Sequence, residues 1–416
     1  MARDGRRVVV TGAAAISPLG HDWATIHARL RALRNAVRAM PEWDVYEGLN
    51  TRLAAPAAPF ELPPHYNRKT TRSMGRVALM AVRASELALQ QAGLIDHPVL
   101  RGGRTGVSYG SSSGSHEAVG EFGRMLSSFS TEGITATTYL KMMSHTAPVN
   151  IGVFFGLSGR IHTTSSACTS GSQGVGEAYE TIRAGRQTVM LAGGAEQLDA
   201  TAAAVFDTLF ATSVRNAAPA TTPRPFDAGR DGLVLGEGAC TLVLEDLQHA
   251  LERGATILAE VRGYASNSDG QHVTQPSSPT MAQAMRLALE DAGLDAARIG
   301  YINAHGTATE HGDIAESQAT AEVFGSAVPI SSLKSYVGHM LGACGAFEAW
   351  VSIEMMRSGW FAPTLNLEDP DPRCAALDHI IGDGRTLQVD HVMSNNFAFG
   401  GINTSLVFAR FDASAA

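Results

Sequence analysis

The chain is 416 residues long, enough for two ordinary domains or one large unit with a substantial core. Lys and Arg number 32 against 40 Asp and Glu, and the resulting net charge of −8 argues against a general nucleic-acid binder. Hydrophobic residues make up 44% and charged ones 17%, so most of the chain is built to pack, and disorder is excluded as its main theme.

No segment approaches the roughly 20 consecutive apolar residues that span a bilayer. The opening MARDGRRVVVTG has basic residues but too short an apolar run for a signal peptide, so it reads as a first strand and the chain as cytoplasmic. RVVVTGAAAISPLG (7–20) is that strand entering a Gly-rich turn. NRKTTRSMGR then carries a basic cluster, Arg68, Lys69 and Arg72, on an otherwise acidic protein; an ordinary solvated face and a docking patch for an acidic partner both fit it. Residues 72–93 have apolar positions at helical spacing and stop at Ala92-Gly93. RTGVSYGSSSG (104–114) is a strand running into a small-residue loop.

Next comes HTTSSACTSGSQGVGEAYETIRAG (162–185). β-branched and small residues precede Cys168, and a helical pattern follows it to Ala184-Gly185. The thiol is therefore expected at a strand-to-helix turn, where unpaired N–H groups favour a thiolate and receive an oxyanion. A buried small residue is the plainer alternative for a lone cysteine. QTVMLAGGAE (187–196) is nearly all apolar, the pattern of a strand buried on both faces. The four cysteines, Cys168, Cys240, Cys344 and Cys374, are far apart and form no CxxC pair, against a disulfide framework or zinc knuckle.

An internal echo divides the chain. LALQQAGL (87–94) and LALEDAGL (287–294) each end a helical pattern and each precede a strand entering a loop. Duplication accounts for this, with halves near 1–250 and 255–411, and without a Pro-rich or charged linker the halves are expected to share one core. Alternating strands and helices make it layered α/β. In the second half, YINAHGTATEHGD (301–313) puts His305 at a strand end in a loop of small and hydroxylated residues. SSLKSYVGHMLGACGAFEAW (331–350) puts Lys334 and His339 in a Gly-rich turn before a helix carrying Glu348. A zinc reading of His305, His311 and Asp313 is set aside, because no helix holds them on one face and no thiolate joins them.

The segments SSACTSG, NAHGTATEHGD, SSLKSYVGHMLGACG and SNNFAFGGINTSL (394–406), with RPFDAGRDGLVLGEGA (224–239), resemble in order the signatures of the β-ketoacyl-[acyl-carrier-protein] synthases, condensing enzymes of the thiolase superfamily. The Cys-His-His set resembles the elongating branch (types I and II). The intact Cys168 is unlike the non-catalytic chain-length partner subunits. The resemblance implies a thiolase-like fold, two similar α/β halves in a five-layered αβαβα core, and a homodimer or a heterodimer with a related condensing subunit. It implies an acyl group carried on Cys168 and condensed with malonyl carrier protein. His305 and His339 would then stabilise the enolate, and N–H groups of Cys168 and Phe399 would form the oxyanion hole. Lys334 and Glu348 are supporting residues. Thr307 and Thr309 are implied contacts of the phosphopantetheine arm, and Phe399 is the gating aromatic. No cofactor is required beyond the arm on the acyl carrier protein, whose docking patch would be Arg68, Lys69 and Arg72. Asn303, Glu348, Ser394 and Asn395 occupy the places of a structural monovalent cation.

Two departures point to a specialised pathway, such as aryl polyene or other type II polyketide assembly, beside fatty-acid elongation. Ala398 stands between two phenylalanines where the elongation enzymes usually carry Gly, and the loop GSSSGSH (110–116) is small where some relatives are larger and apolar.

Overall fold

The computed structural model describes residues 5–412. Eleven strands form one mixed sheet: β1 (Val8–Ile16), β2 (Thr105–Gly110), β3 (Ile161–Thr163), β4 (Val189–Glu196), β5 (Gly238–Asp246), β6 (Ala259–Ser268), β7 (Tyr301–Asn303), β8 (Pro329–Ser331), β9 (Asp378–His379), β10 (His391–Ala398) and β11 (Ile402–Ala409). Their order is β9-β8-β7-β10-β11-β6-β1-β5-β4-β2-β3. The apolar run of β4 is buried at every residue because it lies between β2 and β5 with helices on both faces.

The sheet is two copies of one arrangement. β3 and β2 are parallel, β2 and β4 parallel, β4 and β5 antiparallel, and β5 and β1 antiparallel. The sequence β8, β7, β10, β11, β6 repeats those pairings with the same directions. The copies join where β1 meets β6 antiparallel through Val8–Val10 and Ala259–Val261. β1–β5 lie before residue 250 and β6–β11 after residue 255.

Helices make the remaining layers. α1 (Arg76–Gln91) and α3 (Thr146–Phe155) lie on the outer side of the first half-sheet, while the largely exposed α2 (His116–Ser128) between them in sequence packs on the short helix Ala136–Met142. α6 (Ser278–Ala292) and α7 (Glu310–Phe324) cover the second half-sheet. Between the half-sheets lie α4 (Ser170–Arg183) and α8 (Cys344–Ser358), each touching strands of both halves and each other. This is a five-layered, thiolase-like α/β fold. α8 is buried continuously from Cys344 to Met356, as a helix sandwiched on all sides must be. The repeated octapeptides close α1 and α6, which occupy equivalent places before β2 and β7.

A close approach sets the middle layer. A β-carbon on Gly171 in α4 would lie 2.8 Å from the carbonyl oxygen of Gly342, so only glycine lets these backbones meet. Both central helices are entered through a single 3-10 turn, Ala167–Thr169 before α4 and Leu341–Ala343 before α8. Each turn holds a non-glycine residue in the left-handed region, Ala167 at φ +50° and Leu341 at φ +43°. Paired strained turns at one end of the middle layer mark where the chain is held away from its easiest backbone path. α5 (Ala200–Asp207) runs from β4 along that same end.

Candidate active site

Cys168 sits in the turn before α4 and is 4% exposed. Side chains lock the turn. Ser170 Oγ donates to the Ala167 carbonyl at 2.7 Å and accepts from Ser166 N at 3.0 Å, and Thr169 Oγ1 donates to the Ser166 carbonyl at 2.8 Å. Burial pushes the thiol up to about 11, against the opposing pull of the Lys334 charge and of the N–H groups of Phe399 and Cys168. The helix terminus therefore does not produce the resting thiolate expected from sequence; desolvation outweighs it and the group rests as a thiol. The two N–H groups aimed at the sulfur are the pair that the resemblance assigns to an oxyanion.

His305 follows β7 and His339 follows the short helix Lys334–Val337. Cys168 Sγ and one ring nitrogen of each histidine lie within 4.8 Å of one another. The imidazoles stand edge to face, 5.2 Å between centroids at 88°. Burial, then the charge of Lys334, holds both well below the ordinary histidine range, so both are neutral at pH 7. Neither ring nitrogen of His339 has a hydrogen-bond partner, although both are buried. Its backbone is clamped instead, N to Val234 O at 2.7 Å and O from Gly236 N at 2.9 Å. A Cys-His-His set has the composition of a zinc site. Here the Lys334 ammonium is close enough to act on all three groups, which disfavours a dication among them.

Lys334 is fully enclosed, its Nζ 2.5 Å from Glu348 Oε1. Glu348 Oε2 accepts from Asn396 Nδ2 at 2.7 Å, and that amide also reaches His305 Nδ1 at 3.4 Å. With Nδ1 accepting, the proton of His305 resides on Nε2. Burial pushes Glu348 up against the pull of Lys334; Lys334, despite burial, is held above its ordinary value by Cys344 and Glu348. Asn396 was not singled out from sequence, and its neighbour was. Asn395 is directed to the opposite face of β10, where it accepts from Ser405 Oγ at 2.8 Å, because side chains alternate along a strand. Ser394 and Asn303 pair across β10 and β7, with Asn303 Nδ2 3.3 Å from Ser394 Oγ.

Sequence reasoning also missed the groups that shape the His305 loop. Glu316 accepts from the amides of His305 and Gly306, both at 2.7 Å, and burial pushes it up to about 8. Asp313 accepts from Phe226, Thr307 and Ala308 amides, and burial lifts it to about 6. Arg230, from the 224–239 segment, donates to the carbonyls of Thr309 and Glu310 and pairs with Asp371 at 2.6 Å. The available signal was the i, i+3 spacing of Asp313 and Glu316 at the start of α7.

These residues open onto a cavity of about 550 Å³ lined by Cys168, His305, His339, Thr307, Thr309 and Phe399. Thr307 and Thr309 hydroxyls meet at 2.9 Å on its outer wall. The half-buried Phe399 ring lies 5.2 Å from Phe206. Ala398 ends β10 outside the left-handed region, and the turn's positive φ angles fall on Gly400 and Gly401, so its methyl is accommodated. Arg68, Lys69 and Arg72 are exposed at the single turn Arg68–Thr71 and do not line the cavity.

A thiol and two neutral imidazoles at one cavity end, in a thiolase-like fold, are those of an acyl-transferring, carbon–carbon bond-forming condensing enzyme. The family model "Beta-ketoacyl synthase, N-terminal domain" matches residues 5–250 and "Beta-ketoacyl synthase, C-terminal domain" matches 258–368; the chain belongs to the β-ketoacyl synthase family. It is 35% identical to 3-oxoacyl-[acyl-carrier-protein] synthase 1 of Haemophilus influenzae over 98% of this chain and 100% of that one. Its structure superposes on a β-ketoacyl synthase from Burkholderia phymatum with a TM-score of 0.97 at 61% identity, over 98% of this chain and 100% of that one. A type II polyketide acyl carrier protein in complex with its ketosynthase, bound to the hexaketide, matches at 30% identity and TM-score 0.87, again over 98% and 100%.

The protonation state of Cys168 is directly measurable. Because its thiol titrates near 11, iodoacetamide labelling should still climb close to tenfold per unit between about pH 8 and 10. A plateau already reached by about pH 8 contradicts a burial-dominated thiol.

Proposed function

We propose that the chain is a β-ketoacyl-[acyl-carrier-protein] synthase that condenses malonyl carrier protein with an acyl group held on Cys168. The observation that carries this reading is the meeting of one buried thiol with two neutral imidazoles and two backbone N–H groups at a single cavity end. In the first half-reaction the thiol attacks the carrier thioester. A neutral imidazole takes the thiol proton and returns it to the departing pantetheine sulfur. Thr307 and Thr309 hold the arm at the outer wall, and Phe399 stands at the acyl entrance.

In the second half-reaction the malonyl carboxylate leaves as carbon dioxide and its bonding pair becomes an enolate. N–H donors of His305 and His339 stabilise the enolate oxygen, which is why neutral, desolvated imidazoles suit the task. The carbanion attacks the acyl thioester of Cys168. The oxyanion rests on the N–H groups of Cys168 and Phe399, and the released thiolate takes up a proton. Lys334 with Glu348 sets the local field and orients Asn396 toward His305. Asn303 Oδ1 and Asn396 Oδ1, both buried without partners, supply with Glu348 and Ser394 oxygen donors suited to a monovalent cation of structural role. Fatty-acid elongation and type II polyketide assembly, aryl polyenes included, use this same chemistry; the acyl chamber distinguishes them.

The acidic acyl carrier protein docks at Arg68, Lys69 and Arg72, an exposed basic turn on a chain of net charge −8. Replacing all three by Glu should raise KM for carrier substrates roughly tenfold, an effect that shrinks at high salt. An equal loss with a small pantetheine thioester would contradict docking there. For the chemistry itself, His305→Ala and His339→Ala should each slow carbon dioxide release from malonyl carrier protein roughly 100- to 1,000-fold. Undiminished release from either variant overturns the enolate role.

A further inference from the structure

We infer that an apolar lip at the cavity mouth, built on Phe210 and Val273, docks the acyl carrier protein through an apolar side chain beside its phosphopantetheine-bearing serine, an inference that rests on the condensing function proposed above. Phe210 and Val273 both line the cavity that holds Cys168, yet Phe210 is 87% and Val273 68% exposed, so they stand at its outer edge. Leu209, also in the lining, is 47% exposed. Large apolar side chains gathered in water at the rim of a site mark a surface that a partner covers.

The backbone at Phe210 shows that the ring is not there for the fold. α5 ends in a doubly hydrogen-bonded turn, in which Ala211 N donates to Phe206 O at 3.0 Å and Phe210 N to Asp207 O at 2.9 Å. A turn of this kind puts its penultimate residue in the left-handed region, a place that glycine usually fills. Here that residue is Phe210, at φ +53°. The surroundings hold the strain in place. Asp207 accepts from Asn50 N at 2.8 Å, Thr51 N at 3.0 Å and Thr212 Oγ1 at 2.8 Å, and Ala211 O accepts from Leu233 N at 2.8 Å. Burial does not offset it, because the ring lies in solvent. A strained residue with an exposed ring at the edge of a site points to a use outside the folded monomer.

The position of the lip names its occupant. Phe206, which accepts in the same turn, has its ring 5.2 Å from Phe399 at the acyl entrance. Val273 O accepts from Gly400 N at 2.8 Å, just beyond that gate. A thioester reaching Cys168 through this mouth therefore brings the serine of its carrier over Phe210 and Val273. Charge does not hold the partner at this point: Arg215 pairs with Asp231, Arg230 with Asp371, and Arg373 with Glu310 and Asp371. Apolar contact at the mouth and charge at Arg68, Lys69 and Arg72 are then separate parts of one footprint, an apolar centre and a charged rim.

The test compares loading of Cys168 from butyryl carrier protein and from butyryl pantetheine, which passes the mouth without covering the lip. The reading is the ratio of the two second-order rate constants within each protein, so that a general loss of activity cancels. Phe210→Gly should lower the ratio roughly tenfold. The loss should be the same at low and high salt, unlike that expected at the Arg68 turn. The melting temperature should hold or rise, because glycine adopts the left-handed conformation freely. Val273→Ser should lower the ratio in the same direction even if Phe210→Gly folds poorly. A ratio unchanged in both variants, a loss that vanishes at high salt, or an altered oligomeric mass with the ratio intact overturns the proposal. Butyryl loading of the native protein from the carrier is the separate control: without it the condensing function fails, and the lip loses its occupant with it.

Discussion

The approach of α4 to α8 governs the rest of the molecule. Where Gly171 faces the Gly342 carbonyl, no side chain can intervene, and the two helices of the middle layer draw their entry turns together. One turn carries Cys168; the other begins two residues after His339. Duplication thus does more than enlarge the core. It brings two equivalent strand-to-helix turns to one point, and each copy has kept a different chemical group there. The strain at Ala167 and Leu341 is tolerated because strands of both halves pack around the helices that follow.

Burial then dictates the electrostatics. A thiol, two imidazoles, an ammonium and three carboxyl groups lie in a region nearly free of solvent. Desolvation favours the neutral form wherever no partner offsets it, so the thiol and both imidazoles are uncharged. Lys334 and Glu348 are buried as a pair, and leaving either alone would cost roughly 3–5 kcal/mol. The ammonium adds to the burial that already keeps both imidazoles neutral. The carboxyl oxygens of Glu316 and Asp313 accept from backbone amides, so their role is the shape of the His305 loop.

Much of this was legible in the chain. The octapeptide echo pointed to duplication because it falls at the ends of α1 and α6, which occupy equivalent places. The runs around Cys168, His305, Lys334 and His339 are local signals, and each belongs to one turn. What stayed hidden depends on side chains meeting across long separations. Asn396 and Asn395 are adjacent and chemically identical in sequence, and only the register of β10 against β7 and β11 decides which faces Glu348. Arg230 reads as one residue of a Gly-rich segment until its bonds to the Thr309 and Glu310 carbonyls are seen. The thiolate expected at the helix terminus failed for the same reason, since composition near Cys168 does not report how completely the fold encloses it.

The central claim, that the meeting of the two turns makes Cys168 an acyl-accepting nucleophile, is tested most directly by intact-mass spectrometry after incubation with acyl carrier proteins. The account predicts one added acyl mass on the native protein and none on Cys168→Ala. Acyl mass persisting on Cys168→Ala, or absent from the native protein with every donor, would contradict it.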